Sequence, residues 1–225
     1  MTTAGPITPS GPWWVPGAPI TFAGGQREVD WKRAVLAHVP DAPAITSQTG
    51  LAIEFAIPDP HKQDLDNLAE PVLSVVVNQR GWFGGRRPNL QWLALSKAPG
   101  DALGCRIIPL DEAPVDWLPD DLAVIDEIYL GPLPTSARSV EFAAWATERC
   151  TMGGDVRYAA AISFGGRRNL GDIATGAVKP IIDCLWPLWG GSPRDPHDWR
   201  LDRLLLTQCC EDVPSEAIMI SVWAM

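Results

Sequence analysis

One offset constrains this chain more than any other feature: its second half repeats its first. AIEFAIP at 52–58 corresponds to AAISFGG at 160–166, which sets Phe55 against Phe164 at a shift of 109 residues. Fifteen residues beyond each phenylalanine come Glu70 and Lys179, followed by Pro71-Val72-Leu73 and Pro180-Ile181-Ile182 at the same shift. NLQWLALSK (89–97) corresponds to RLDRLLLTQ (200–208) at a shift of 111, with Leu90 against Leu201 and Leu93 against Leu204. CRIIPL (105–110) and AIMISVW (217–223) close the two blocks. PITFAGG (19–25) and EIYLGPL (127–133) open them, each ahead of a helical stretch carrying Trp31 or Trp145.

Each block therefore reads strand, helix, strand, helix, strand, strand, the strands being short Ile/Val/Phe runs with Gly or Pro at their ends. The first helix is expected at about 26–37, with Val29, Lys32, Arg33 and Leu36 on a 3–4 spacing. For the second helix, Asn67 three residues before Glu70 has the spacing of a capping box, and Pro71 then falls in the first turn. Thr175 or Gly176 takes the cap in the second block. The expected fold class is α/β (α+β): two tandem units, each a small mixed sheet with helices packed on it, forming an intramolecular pseudo-dimer. Residues 1–110 are the first unit, 111–127 a linker and 128–225 the second. Two similar units of this size suggest a fused homodimer, whose copies are free to diverge.

Charge supports that division. The net charge is −9, yet segment 111–127 alone holds seven acids and no base, and the flanking blocks are close to neutral. Neutral blocks permit nucleic-acid binding but lack the basic footprint that usually drives it. Trp117, Leu118, Leu122, Val124 and Ile125 within the strip are expected to be buried. With 46% apolar and 20% charged residues, the chain has material for a core and too little charge for disorder. The longest apolar run falls short of a bilayer span, and Met1–Ser10 does not read as a secretory signal, so a cytoplasmic location without membrane attachment is expected. Five cysteines without a CxxC pair and three histidines argue for buried thiols over a zinc site or a disulfide framework.

Asp64-Leu65-Asp66-Asn67 is the sharpest local feature. Carboxylates at i and i+2 in an extended loop point the same way and suit a shared Mg²⁺, which takes oxygen ligands and keeps waters. The competing reading is a solvated turn in which Asp66 or Asn67 caps the helix. GGRR occurs at 84–87 and 165–168. Arg86, Arg87, Arg167 and Arg168 are candidate phosphate contacts, or simply members of solvated glycine turns. Eleven tryptophans offer bases a stacking surface or, by default, fill the core.

QDLDNLAEPVLSVV (63–76) resembles the RusA-type Holliday junction resolvases, whose hallmark is Asp-x-Asp-Asn-x-x-Lys before an apolar helix. That family continues with an Asp-Asp pair before a strand of the form Ile/Val-x-x-Leu-x-x-x-Lys, which Leu90–Lys97 fits. VKPIIDCL (178–185) and HDWRLDRLLL (197–206) fit the same scheme in the second block. The resemblance covers most of the chain. It implies a dimeric, Mg²⁺-dependent endodeoxyribonuclease acting on branched DNA, with Asp64 and Asp66 as metal ligands and Asp64, Asp66, Asn67 and Glu70 as catalytic positions.

Both blocks depart from the pattern. In the first, Glu70 replaces the lysine and Arg86-Arg87 stand in place of the Asp-Asp pair. In the second, Lys179 and Asp198 remain, His197 precedes Asp198, and Ile173, Thr175 and Gly176 replace the leading acids and asparagine, with Asp172 one residue out of register. The expectation is a junction-processing pseudo-dimer with at most one weakened Mg²⁺ site, Asp64 and Asp66 lying exposed at a cleft edge. Equivalent sites of a two-fold pair lie apart unless they border the axis, so the remnants Lys179 and Asp198 are expected to stay separate from Asp64 and Asp66. The alternative is a catalytically inactive module of the same fold that binds DNA or a protein partner.

Overall fold

A computed structural model describes residues 13–41, 50–85, 89–149, 156–208, 214 and 216–225. Arg86, Arg87, Cys150, Cys209 and Cys210 lie outside the described residues. The strands are β1 (Trp13–Pro16), β2 (Gly50–Ile57), β3 (Trp92–Pro99), β4 (Gly104–Leu110), β5 (Ile125–Tyr129), β6 (Tyr158–Phe164), a two-residue pair β7 (Gly191–Ser192) and β8 (Asp195–Pro196), β9 (Leu201–Gln208) and β10 (Ile218–Ala224). The helices are α1 (Gln26–His38), α2 (Leu65–Leu73), α3 (Val140–Arg149), α4 (Val178–Cys184) and the single turn α5 (Trp186–Trp189).

Eight strands form one mixed sheet in the order β1-β4-β2-β3-β9-β6-β10-β5. This corrects the expectation of a separate small sheet in each unit: β3 and β9 pair antiparallel from Trp92–Thr207 to Ser96–Arg203 and join everything into one sheet. The join follows from the side chains. Leu93, Leu95, Leu204 and Leu206 are fully buried on one face, and an unpaired β3 edge would leave that apolar row and its backbone groups in water. Read inward from each edge, the element types come in the same sequence. β2 lies parallel to β3 and antiparallel to β4, as β6 lies parallel to β9 and antiparallel to β10.

The helices share the face that carries Ile53, Leu95, Ile107, Ile162, Leu204 and Ile220, and one continuous core runs under them. In α1 the buried residues are Trp31 and Val35, while Val29 is exposed, so the inward stripe is not the one its 3–4 spacing suggested. Segment 19–25 is a turn, and the first strand lies earlier, at Trp13–Pro16. Of the tryptophans, Trp82 and Trp189 are fully buried core residues. Cys105 and Cys184 are buried free thiols.

The acidic strip runs across the opposite face. Trp117 and Leu118 pack on Ala52, Trp92, Ala94 and Leu205. The Trp117 indole donates to the Leu95 carbonyl at 3.1 Å, and Arg203 donates to the Trp117 carbonyl at 3.0 Å. Ile125 is buried as the first residue of β5, so the last three residues of the strip are already strand. Leu122 is 96% exposed and Val124 is also exposed, against the expectation that both are buried: the strip needs only its first half to cover the apolar patch. Among the described residues no helix is long and apolar enough to cross a membrane.

Candidate active site

Asp64 is the N-cap of α2, with extended backbone and its carbonyl accepting from the Leu68 N–H at 3.0 Å. Its carboxylate does not cap the helix; it accepts from the Asn67 side-chain amide at 2.8 Å. The capping-box reading is thus corrected: the helix begins three residues earlier than that reading requires, and Glu70 and Pro71 lie inside it. Pro71 cannot donate to the Asn67 carbonyl, and the Phe22 N–H takes that acceptor instead, at 2.8 Å. Beyond Pro71 the helix widens into a π-helical stretch, Ser74–Gln79. In the second half Ala177, not Thr175 or Gly176, is the N-cap of α4.

Lys179, in the first turn of α4, is where the two halves meet. Its ammonium donates to Asp198 at 2.7 Å and lies 3.0 Å from Asp183, 3.3 Å from Asp66 and 3.9 Å from Asp64. A cation in the first turn opposes the helix dipole, so the four carboxylates hold it there. Asp64 and Asp66 come from the first half; Asp183 and Asp198 come from the second. The expectation that the half-sets stay apart is overturned: α2 packs on both β3 and β9, Asp198 lies just ahead of β9, and Lys179 reaches Asp66 and Asp198 together. Asp66 is also not exposed as expected: it is 1% accessible.

Lys97 fixes the frame. It is buried in β3, and its ammonium donates to the carbonyls of Gln63 and, at 2.6 Å, Trp199. These residues adjoin Asp64 and Asp198, so one buried side chain ties together both acid-bearing loops. Around Trp199 lie His61 and His197, with ring centroids 5.7 Å away in each case, and the guanidinium groups of Arg157 and Arg200 at 5.5 and 5.2 Å. Arg157 is ion-paired to Asp202 and also donates to the Pro60 carbonyl, a further link between the halves.

Burial dominates the electrostatics. It raises Asp64 to about 6, assisted by the neighbouring Asp198 and opposed by Lys179. It also raises Asp66, Asp183 and Asp198, again against the pull of Lys179. Burial alone would lower Lys179, but Asp66, Asp198 and Asp183 outweigh it and hold the ammonium well above the ordinary lysine value. Lys97 is pulled down to about 8 by desolvation, which outweighs the opposing pull of Asp202 and, further down, of Asp64 and Asp198.

The remaining sequence candidates fall elsewhere. Glu70 turns away from the cluster, its carboxylate accepting from the Ala174 N–H at 3.0 Å. Ile173 is buried and Thr175 exposed, and Asp172 accepts from the Asn169 amide at 2.7 Å. Arg167 donates to the Asn89 side chain at 3.3 Å. The backbone N–H of Arg168 donates to the Gln208 side chain at the far end of β9, whereas Asp198 precedes its near end. Neither arginine is ion-paired to the four carboxylates.

Sequence reasoning missed Asp183, Lys97 and the Trp199 cluster as parts of one site. Asp183 carried a signal, since it lies one helical turn from Lys179. Lys97 carried one as the lysine that closes the Leu90–Lys97 strand pattern, but nothing in the sequence shows that it bridges Gln63 and Trp199.

Four carboxylates are the oxygen-donor chemistry that Mg²⁺ takes, and Asp64, Asp66 and Asp198 would be its ligands. The two buried oxygens without an aligned hydrogen bond, Asp66 Oδ2 and Asp183 Oδ1, are the atoms ion-paired to Lys179 at 3.3 and 3.0 Å, so the ammonium already lies between them. With the ammonium at the centre, no group of three or more acidic, histidine or cysteine side chains among the described residues is arranged around a metal position. No family model, curated protein or solved structure matches the chain.

Proposed function

We propose that this chain is a RusA-like protein that processes branched DNA, built as a tandem pseudo-dimer with one composite Mg²⁺-dependent endonuclease site. One observation carries the reading: Asp64 and Asp66 of the first half and Lys179 and Asp198 of the second, the residues each half retains of the family motif, converge on one point. The mirrored strand order about β3 and β9 is the arrangement a fused dimer requires.

Bound Mg²⁺ would supply charge to a phosphodiester and lower the pKa of a bound water. The chain's own contributions are distinct from that. Asp64, hydrogen-bonded to Asn67, is oriented toward the other acids as a ligand carboxylate. Lys179 provides a fixed positive charge for a phosphate oxygen. Lys97 keeps both loops in register. The near-neutral blocks supply little general attraction to DNA, so recognition must rest on shape and on contacts close to the site.

The test is Mg²⁺- or Mn²⁺-dependent cleavage of a four-way junction, with Asp66→Asn and Asp198→Asn as controls. Each substitution is expected to lower the rate by about two orders of magnitude or more. Because the two aspartates belong to different halves, equal losses would mark a single composite site. A second reading, an inactive module that binds junctions, is favoured by the ammonium at the centre of the carboxylates. It would stand if wild type and both variants bound the junction equally and none cleaved it.

A further inference from the structure

We propose that the outer edge of β5 is a docking site for an extended, basic and apolar segment of another protein, which adds to the sheet as a further strand.

The sheet has two ends, and they are finished differently. At one end β1 is four residues long and closes on Pro16, which has no N–H to offer a further strand. At the other end β5 pairs only with β10, so its outer edge has no strand partner among the described residues. It contains neither proline nor bulge, and the N–H and C=O groups of such an edge are a template for pairing. Apolar surface gathers at the same place. Of the seven large apolar side chains exposed among the described residues, four (Leu122, Val124, Ile128 and Leu130) fall between residues 122 and 130. Strand alternation explains their exposure. Ile125 and Tyr129 are buried toward α3, with the Tyr129 ring edge-on to Phe142. Asp126 and Ile128 face the other way, and Val124 and Leu130 extend that stripe at the same spacing.

Charge selects the partner. Residues 111–137 hold seven acids and no lysine, arginine or histidine. Asp120, Asp121 and Asp126 are exposed. Asp126 accepts from the Ser221 hydroxyl at 2.6 Å, and Glu127 is ion-paired to Arg149. A second copy laid antiparallel on this edge would set Asp126 and Glu127 against their own equivalents, and like charges directly opposite destabilise a ladder. A segment with Lys or Arg opposite these two acids and apolar residues opposite Val124, Ile128 and Leu130 satisfies both the charge and the stripe. Its main-chain bonds would supply affinity and its alternate side chains specificity.

The experiment is fluorescence anisotropy of a labelled peptide, Val-Thr-Val-Lys-Lys-Thr-Val, titrated with the full chain. Laid antiparallel on β5, its lysines fall opposite Glu127 and Asp126 and its valines opposite Leu130, Ile128 and Val124. Saturable binding is expected, at least tenfold weaker for Ile128→Lys and for Leu130→Lys, two exposed positions whose change leaves the core intact. The acidic peptide Val-Thr-Val-Glu-Glu-Thr-Val is expected to bind at least tenfold more weakly than the basic one. Of two basic peptides N-methylated at odd or at even positions, one is expected to bind at least tenfold more weakly than the other, since only alternate N–H groups face the neighbouring strand. No binding of the basic peptide, equal binding of the acidic one, equal binding of the two methylated peptides, or unchanged affinity in both lysine variants would overturn the proposal. So would a wild type that sediments as a dimer and an Ile128→Lys variant that sediments as a monomer, because the edge would then belong to a second copy.

Discussion

Ala94 pairs with Leu205 at the middle of the β3–β9 ladder, and the two are 111 residues apart, the same offset that relates Leu90 to Leu201 and Leu93 to Leu204. Each is therefore its own counterpart's partner. On either side, Leu93 pairs with Leu206 and Leu95 with Leu204, an exchange of equivalent positions. A two-fold relation read from sequence thus passes through a specific backbone pair, and everything built near it draws on both halves.

If that pair organises the sheet, its opposite face depends on the strap across it. Trp117→Ala removes the indole from Ala52, Trp92, Ala94 and Leu205 together with its hydrogen bond to Leu95. Chemical denaturation should show a loss of about 2–4 kcal/mol. Leu122→Asp, in the exposed part of the same strap, should shift the midpoint by less than about 0.5 kcal/mol.

Gly50 lies directly opposite Trp92 in the parallel β2–β3 pair, and a methyl group there would run into the indole ring. Gly50→Ala is expected to cost roughly 1–3 kcal/mol through overpacking, read as a lower thermal midpoint.

Glu70 accepts from the Ala174 N–H in a partly buried place. Glu70→Ala leaves that donor unsatisfied and should destabilise the chain by about 1–3 kcal/mol. Because Glu70 faces away from the Lys179 cluster, Mn²⁺ affinity in this variant should match wild type. A large change in affinity would contradict the placement of Glu70 outside the site.

Lys97 makes stability depend on alkaline pH. Its value in the folded chain, about 8, lies below the ordinary 10.5, so between these limits the unfolded chain binds more protons than the native one. Stability from this group therefore rises as pH increases from about 8 to about 10.5 and is lowest below that interval. Compared with Lys97→Met in urea unfolding, wild type should gain roughly 2–3 kcal/mol across the interval. A constant difference between the two proteins would contradict the assigned burial of the ammonium.

The strand–helix–strand–helix–strand–strand order and most strand positions were legible in the sequence because short β-branched runs bounded by Gly and Pro carry a local signal. The first strand was not: PITFAGG is apolar enough for a strand, but Trp13–Pro16 is the segment that pairs with β4. Nor does local sequence show that β3 and β9 would bury their edges against each other, since that depends on contacts over more than a hundred residues. The site was misread for the same reason. Asp64, Asp66, Lys179 and Asp198 were each visible as remnants of a motif, but their meeting is set by the central ladder and by the starts of α2 and α4. Asp183 and Lys97 matter only once that geometry exists.

The swap of charge at one repeated position gives the chain a sense of self and non-self. Glu70 and Lys179 are equivalent residues, and each reaches across the centre toward the other half. Two first halves brought together would set Glu70 of each toward the aspartates of the other, with no ammonium between them. Two second halves would each offer a lysine and find Ile173 and Thr175 where the acids should be. On the proposed pseudo-dimer reading only the mixed pair satisfies both sides, and a cut within the strap is expected to leave two pieces that associate with each other and not with themselves.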